Sequence, residues 1–190
     1  MLTEWIYKVD FEILNWIQEH LRCHFLDRFC PIITFPGEKG WFFILMAVLF
    51  FCIPQYRKWG ISLASSLTLC LLFGNIVIKN MVARIRPYDQ VENFELQVEK
   101  LKDYSFPSAH TMIAFAFFAV VCLMPVKKRC KVAAGVLACL IAFSRLYLYV
   151  HFPSDVLVGM ILGVLFGLMG VRMVTMIMEE KNAKKNFTTQ

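Results

Sequence analysis

Charge is scarce in this chain: only 18% of its 190 residues are Asp, Glu, Lys or Arg, while 58% are hydrophobic. An ordinary soluble domain does not need so much apolar side chain. The simplest expectation is a single integral membrane domain over residues 1–190. Metal-binding and redox patterns are missing as well: no Cys-x-x-Cys occurs, and no His/Cys cluster has zinc spacing. Of the seven cysteines, Cys52, Cys70, Cys122 and Cys139 lie inside apolar runs, where a thiol acts as a small hydrophobe. Cys23 and Cys30 are expected to be reduced. The N-terminal stretch carries Glu4, Lys8, Asp10, Glu12 and Glu19 without a continuous apolar core, which argues against a cleavable signal peptide. Internal repeats and low-complexity segments are absent. The net charge of +6 does not point to nucleic acid, because the basic residues sit in short turns between apolar runs.

What is present is a series of apolar segments. Residues 4–21 read as an amphipathic helix, with Ile6, Val9, Ile13, Trp16, Ile17 and Leu21 on one side and Lys8, Glu12, Asn15 and Glu19 on the other. It is expected to lie on the bilayer or to pack on the protein's own loops. Residues 24–35 are too short to span and read as a re-entrant or packing helix, broken at Pro36-Gly37. Five spans are expected: 41–54, 61–85, 108–124, 132–150 and 156–178. The fold class is therefore all-α, a membrane helical bundle with interfacial N-terminal helices (1–40), a transmembrane core (41–178) and a tail (179–190).

Orientation follows from charge. Arg57-Lys58, the run Lys127 to Lys131 and the tail are basic, whereas residues 88–106 hold Asp89, Glu92, Glu95, Glu99 and Asp103 against Lys100 and Lys102. The positive-inside tendency places the basic turns and the C-terminus in the cytoplasm and the acidic loop outside, in a multi-pass cell-membrane protein. Three ionisable clusters then fall on the outer face: Lys79 to Pro87, Pro107 to His110, and Ser144 to Asp155. Gly159, Gly163 and Gly167 form a small-residue stripe expected to serve packing within the bundle.

Lys79 and Arg86, two helical turns apart, are expected to share a face. Alone, these cations and Arg145 would read as residues snorkelling from span ends. Converging, they would repel one another unless an anion filled the space, and phosphate suits guanidinium forks and a lysine point charge. Ser108 opens a span, where unpaired backbone N–H groups bind phosphate oxygens. His110, in the first turn of an apolar span, has little structural reason to be there. Asp155 is placed to accept a bond from one nitrogen of His151, leaving the other free as a nucleophile. Two histidines, a carboxylate and three cations thus suit phosphoryl transfer through a phosphohistidine, with one His as leaving-group acid. No metal or other cofactor is needed.

Lys79-x6-Arg86-Pro87, Pro107-Ser108-Ala109-His110 and Ser144-Arg145-x5-His151-x3-Asp155 resemble, in order and placement, the three signature motifs of the type 2 phosphatidic acid phosphatase family. The resemblance covers roughly residues 41–178. It implies that His151 is the nucleophile, that Asp155 orients it and that His110 is the general acid. It also implies that Lys79, Arg86, Ser108, Ala109 and Arg145 hold the phosphate. One position departs: Ala109 stands where the family usually has Gly, which is acceptable if that residue is helical. The family also includes soluble acid phosphatases and vanadium-dependent haloperoxidases, but the apolar spans favour its membrane lipid branch. The expected partners are the bilayer and a lipid phosphate, foremost undecaprenyl diphosphate, with phosphatidylglycerophosphate and phosphatidic acid as rivals. A non-catalytic phospholipid binder or transporter is the alternative of another class, though it would have no use for a His–Asp pair beside a second His. Oligomeric state is left open, a monomer being compatible with the sequence.

Overall fold

The computed structural model describes residues 2–92 and 94–188. Among them every regular element is helical. α1 (Leu2–Leu21) and α2 (His24–Thr34) lead through a 3-10 turn (Phe35–Gly40) into α3 (Trp41–Cys52). A 3-10 turn at Pro54–Tyr56 starts a long rod made of α4 (Arg57–Leu69), a π-helical run (Cys70–Ile78) and α5 (Lys79–Val82). After a long irregular stretch come α6 (Ala109–Leu123), α7 (Lys128–Tyr147) and α8 (Pro153–Thr188). The last two residues of the expected tail lie outside the described residues.

Among the described residues, three segments are long and apolar enough to cross a membrane: Pro54–Gln90, Lys128–Tyr147 and Pro153–Lys184. α3 and α6 are also apolar but shorter, below the ~20 residues that a perpendicular crossing needs. α8 lies against both α6 and α4, α3 lies on α4, and α7 on α6. The glycine stripe explains the α6–α8 contact. A Cβ at Gly159 would stand 2.8 Å from the Ser108 carbonyl oxygen, and one at Gly167 equally close to that of Ala116. Only a bare backbone permits that approach, so the stripe serves packing within the bundle.

α1 packs on the protein. Asp10, Leu14 and Ile17 are buried, at a spacing that puts them on one helical face. The two apolar residues join a cluster that includes Tyr147, Tyr149 and Phe152. Trp5, Ile13 and Trp16 remain exposed, so the apolar stripe, expected to lie on the bilayer or to pack on the protein's own loops, is divided between core and surface. α2 packs on α7 with Cys30 and Thr34 buried. Cys23 and Cys30 are both free thiols.

The rod stops earlier than expected. Helix was expected to Ile85, but Ala83 adopts a left-handed conformation (φ 48°) and its N–H closes on the Lys79 carbonyl at 3.0 Å. The chain then runs without helix to Arg86, and Pro87 opens a short 3-10 turn. Period-two geometry replaces helical geometry there. Arg84 and Arg86 turn inward and are buried, while Ile85 faces out.

Candidate active site

The stretch between α7 and α8 turns sharply, with Tyr149 at φ 59°. It buries Val150, His151 and Phe152 almost completely. Pro153 then starts α8, a favoured first helical position. Asp155, two residues further on, reaches back so that its Oδ2 accepts the Phe152 N–H at 2.9 Å, half of a capping box. This places Asp155 behind His151, but not in direct hydrogen-bond contact. Nδ1 of His151 is 3.7 Å from Asp155 Oδ2, beyond a good bond. Ser105 fills the gap: its hydroxyl donates to Asp155 Oδ2 at 2.5 Å and lies 3.5 Å from His151 Nδ1. The direct His–Asp bond expected from the sequence is thus a contact shared with Ser105. Nε2 of His151 faces the other way, 3.3 Å from the Arg86 guanidinium.

The three cations do not snorkel. Lys79, Arg86 and Arg145 are only 4%, 3% and 2% exposed. Lys79 and Arg86 do not share a helical face, since the helix ends between them. They meet instead on Asp103, a residue of the acidic loop. Lys79 Nζ donates to one carboxylate oxygen at 2.5 Å and Arg86 NH2 to the other at 2.7 Å. Arg86 also donates to the carbonyls of Val150, Asp103 and Tyr104, so its fork is held rigidly. Arg145 donates to Thr34 Oγ1 at 2.5 Å, and its Nε is buried with no hydrogen-bond partner. An orphaned guanidinium donor in a buried site is costly and suits an anion that supplies the missing acceptor.

Ala109 is the first residue of α6, with helical rather than left-handed backbone, so the missing glycine brings no strain. Ser108 precedes it. Its N–H is spent on the Asp155 carbonyl at 3.1 Å, and its hydroxyl is paired with Thr111 Oγ1 at 2.9 Å. The first-turn amides that follow are the ones a helix start leaves open. The His110 ring lies against Gly37 of the 3-10 turn, where a Cβ would fall 2.5 Å from the ring carbon Cδ2. The Pro-Gly pair read from the sequence as a helix breaker therefore also makes room for this ring.

Lys79, Arg86, Ala109, His110 and His151 line one cavity of about 800 Å³, together with Asp103. Ser108, Arg145 and Asp155 are not among the residues that line it. Away from this polar end the cavity runs between α3 and α4 along Ile44, Val48, Phe51, Ile61, Ala64 and Leu71. One end is cationic and the rest is greasy.

Electrostatics separate two of these groups. Burial raises the Asp103 carboxyl, but Lys79 and Arg86 outweigh it and bring it from 3.8 down to about 2. Burial, then the nearby Arg86, Arg145 and Lys79, hold the His151 imidazole well below its usual range. It is therefore neutral, with a lone pair available.

Asp103, Ser105, Arg84 and Asp10 were not among the sequence-derived candidates. Asp10 had a readable signal, because it lies four residues before Leu14 and seven before Ile17, an acid on the buried stripe of α1. Asp103 had none, being one of several carboxylates in a polar loop.

Residues 59–179 match the PAP2 superfamily. The chain is 32% identical over 134 residues to an undecaprenyl-diphosphatase of Sulfolobus acidocaldarius, covering 70% of this chain and 64% of that relative, just under two thirds of its length. Among solved structures it resembles Aquifex aeolicus LpxE, with a TM-score of 0.76 and 26% identity over 85% of this chain and 94% of that one. It also resembles the first transmembrane PAP2-type phosphatidylglycerolphosphate phosphatase from Bacillus subtilis, with a TM-score of 0.72 and 26% identity over 92% and 87% of the two chains.

Proposed function

This chain belongs to the PAP2 superfamily, and on that premise we propose that it is a membrane lipid phosphatase whose foremost substrate is a polyprenyl diphosphate such as undecaprenyl diphosphate. The observation that carries the proposal is the two-ended cavity: a cationic head end with two histidines, continuous with an apolar slot between α3 and α4. A lipid enters such a slot sideways, keeps its tail in an apolar environment and presents its phosphate to the cations. The similarity to an undecaprenyl-diphosphatase supports the diphosphate. Phosphatidylglycerophosphate is the second substrate, supported by the structural likeness to a phosphatase of that lipid.

In this mechanism Nε2 of His151 attacks the terminal phosphorus. The bond from phosphorus to the leaving oxygen breaks, and His110 delivers a proton to that oxygen. The products are a phosphohistidine and the lipid bearing one phosphate fewer. Water then attacks phosphorus and gives its proton to His110. The phosphorus–nitrogen bond breaks, its electron pair returns to Nε2, and inorganic phosphate leaves. Lys79, Arg86, Arg145 and the first-turn amides at Ala109 bind the equatorial oxygens, a task that metal ions perform elsewhere. Rotation of Asp103 away from Lys79 and Arg86 admits the phosphate. Turnover needs no metal. Residues 41–178 form the catalytic core, α3 and α6 complete five spans by tilting or with help from their flanks, and the site faces the extracytoplasmic side. The charge asymmetry between the basic turns and the acidic loop supports this orientation.

The test is phosphate release, with and without EDTA, from undecaprenyl diphosphate, phosphatidylglycerophosphate, phosphatidic acid and p-nitrophenyl phosphate in the same mixed micelles. The expected result is a kcat/KM highest for the diphosphate, lowest for the soluble ester and unchanged by EDTA. A soluble ester as good as the best lipid contradicts lateral entry. A better phosphatidic acid contradicts the polyprenyl assignment.

A further inference from the structure

Behind His151 lies a second polar layer that the mechanism above does not use. Asp155 Oδ1, the oxygen turned away from the Ser105 contact, accepts a bond from Arg84 NH1 at 2.6 Å. The same NH1 donates to Ser154 Oγ at 2.7 Å, and NH2 donates to Asp10 Oδ2 at 2.7 Å. Asp10 in turn accepts the Ser154 N–H at 2.9 Å and the Ser154 hydroxyl at 2.5 Å. The Arg84 guanidinium is held between two rings, with its carbon 3.9 Å from the Phe152 centroid and 4.4 Å from that of Tyr7. Arg84, Asp10 and Asp155 are all buried. One residue comes from α1, one from the extended turn after α5, and two from the first turn of α8.

Such a cluster is an expensive way to glue helices together. Burying two carboxylates and a guanidinium forfeits hydration that their mutual attraction only partly restores, and apolar side chains of similar volume would often hold the helices as well or better. The arrangement does something that apolar packing cannot. By engaging Oδ1 it fixes the rotation of the Asp155 carboxylate, so that Oδ2 stays directed at Ser105 and His151. By pinning Ser154 and Phe152 on either side of Pro153, it fixes the peptide that carries His151.

We infer that Arg84 and Asp10 are positioning residues for the nucleophile, extending the His151–Asp155 pair into a chain that ends on the N-terminal helix. Asp10 acts through Arg84 and Ser154, and neither Asp10 nor Arg84 touches the phosphate. The inference rests on the phosphatase reading, in which His151 attacks phosphorus.

The test compares Asp10→Asn, Arg84→Gln and the double variant in detergent micelles, measuring kcat, KM and Tm on the best lipid substrate. Partners that orient metal-ligating histidines are worth roughly 10–100-fold in function. A loss of that order in kcat is expected for Arg84→Gln and a smaller one for Asp10→Asn, with KM within about twofold because the clamp is intact. Since Asp10 works through Arg84, adding Asp10→Asn to Arg84→Gln should lower kcat little further. It should also raise Tm above that of Arg84→Gln alone, by relieving a buried unpaired carboxylate. Arg84→Lys should recover little, because an ammonium cannot fork between Asp155 and Asp10. If Arg84→Gln does not fold, Asp10→Asn and Asp10→Glu decide: the inference requires a kcat loss in the first and recovery in the second. A fall in Tm with kcat per folded molecule unchanged overturns it, as does a change confined to KM. A wild-type protein that releases phosphate from none of the lipids overturns the phosphatase reading and this inference together. An active wild type with unaffected variants overturns this inference alone.

Discussion

The two sides of the His151 ring are built on opposite principles. On the Nε2 side stand a cavity, three buried cations, one orphaned guanidinium nitrogen and a carboxylate only half buried. On the Nδ1 side the Asp155 carboxylate oxygens, the Arg84 fork ends and both oxygens of Asp10 are all engaged. The unsatisfied side is where a ligand has something to gain. The satisfied side leaves the buried Arg84 Nε without a partner, but Arg84 does not line the cavity, so this side can only hold geometry. Changes on the first side should therefore alter binding and charge stabilisation, and changes on the second the rate of attack with binding preserved.

The largest effect on the open side is expected at His110. As leaving-group acid it is worth ~10²–10⁴-fold, so His110→Ala should cripple hydrolysis of lipid phosphates and spare p-nitrophenyl phosphate, whose leaving group needs no proton. Equal losses on both would remove the acid role. Arg145 comes next. Arg145→Ala should cost roughly 10²-fold in kcat/KM, and Arg145→Lys nearly as much, because a lysine cannot make the forked contact. Full activity in the lysine variant would reduce Arg145 to a screening charge. Gly37→Ala tests the wall behind His110. The added methyl must displace the ring, and a misplacement of about 1 Å can cost on the order of 10²-fold. The loss should be smaller than for His110→Ala and show the same leaving-group dependence. An unchanged rate would show that the ring has room to move.

Asp103 should give the smallest effect, and one of opposite sign. Removing its charge frees Lys79 and Arg86, so Asp103→Asn should bind inorganic phosphate and vanadate more tightly, by a few-fold. Weaker inhibition would mean that Asp103 only shapes the clamp. Because its carboxyl is depressed from 3.8 to about 2, the tether is complete above its unfolded value and is lost only as pH falls through about 2. The difference between Asp103→Asn and wild type should thus be flat across the neutral range.

The open side was largely legible in the sequence, because its residues are tied to chain features that sequence patterns report. Pro87, Ser108 and Pro153 mark where apolar segments stop or start, and the candidate residues lie within eight positions of them. The satisfied side was legible only at Asp155, for three physical reasons. Asp10 meets Ser154 across 144 residues of sequence, and no local period encodes that contact. Arg84 looked like one more cation in a terminal helical turn, because a left-handed Ala83 carries no glycine to announce it. Ser105 comes between His151 and Asp155 from a loop whose polarity suggests only solvent exposure. The π-helical run before Lys79 was equally hidden, although such irregularities often mark functional positions.

The central claim is that His151 itself takes the phosphoryl group on the open side while the closed side holds it still. Rapid mixing with a lipid phosphate radiolabelled at its terminal phosphorus, followed by quenching and peptide mapping, tests it directly. An acid-labile label on His151 that forms and decays within one turnover, and that is absent from His151→Ala, is the predicted result. Label persisting in His151→Ala, or phosphate release by wild type with no labelled intermediate at any time, would contradict it.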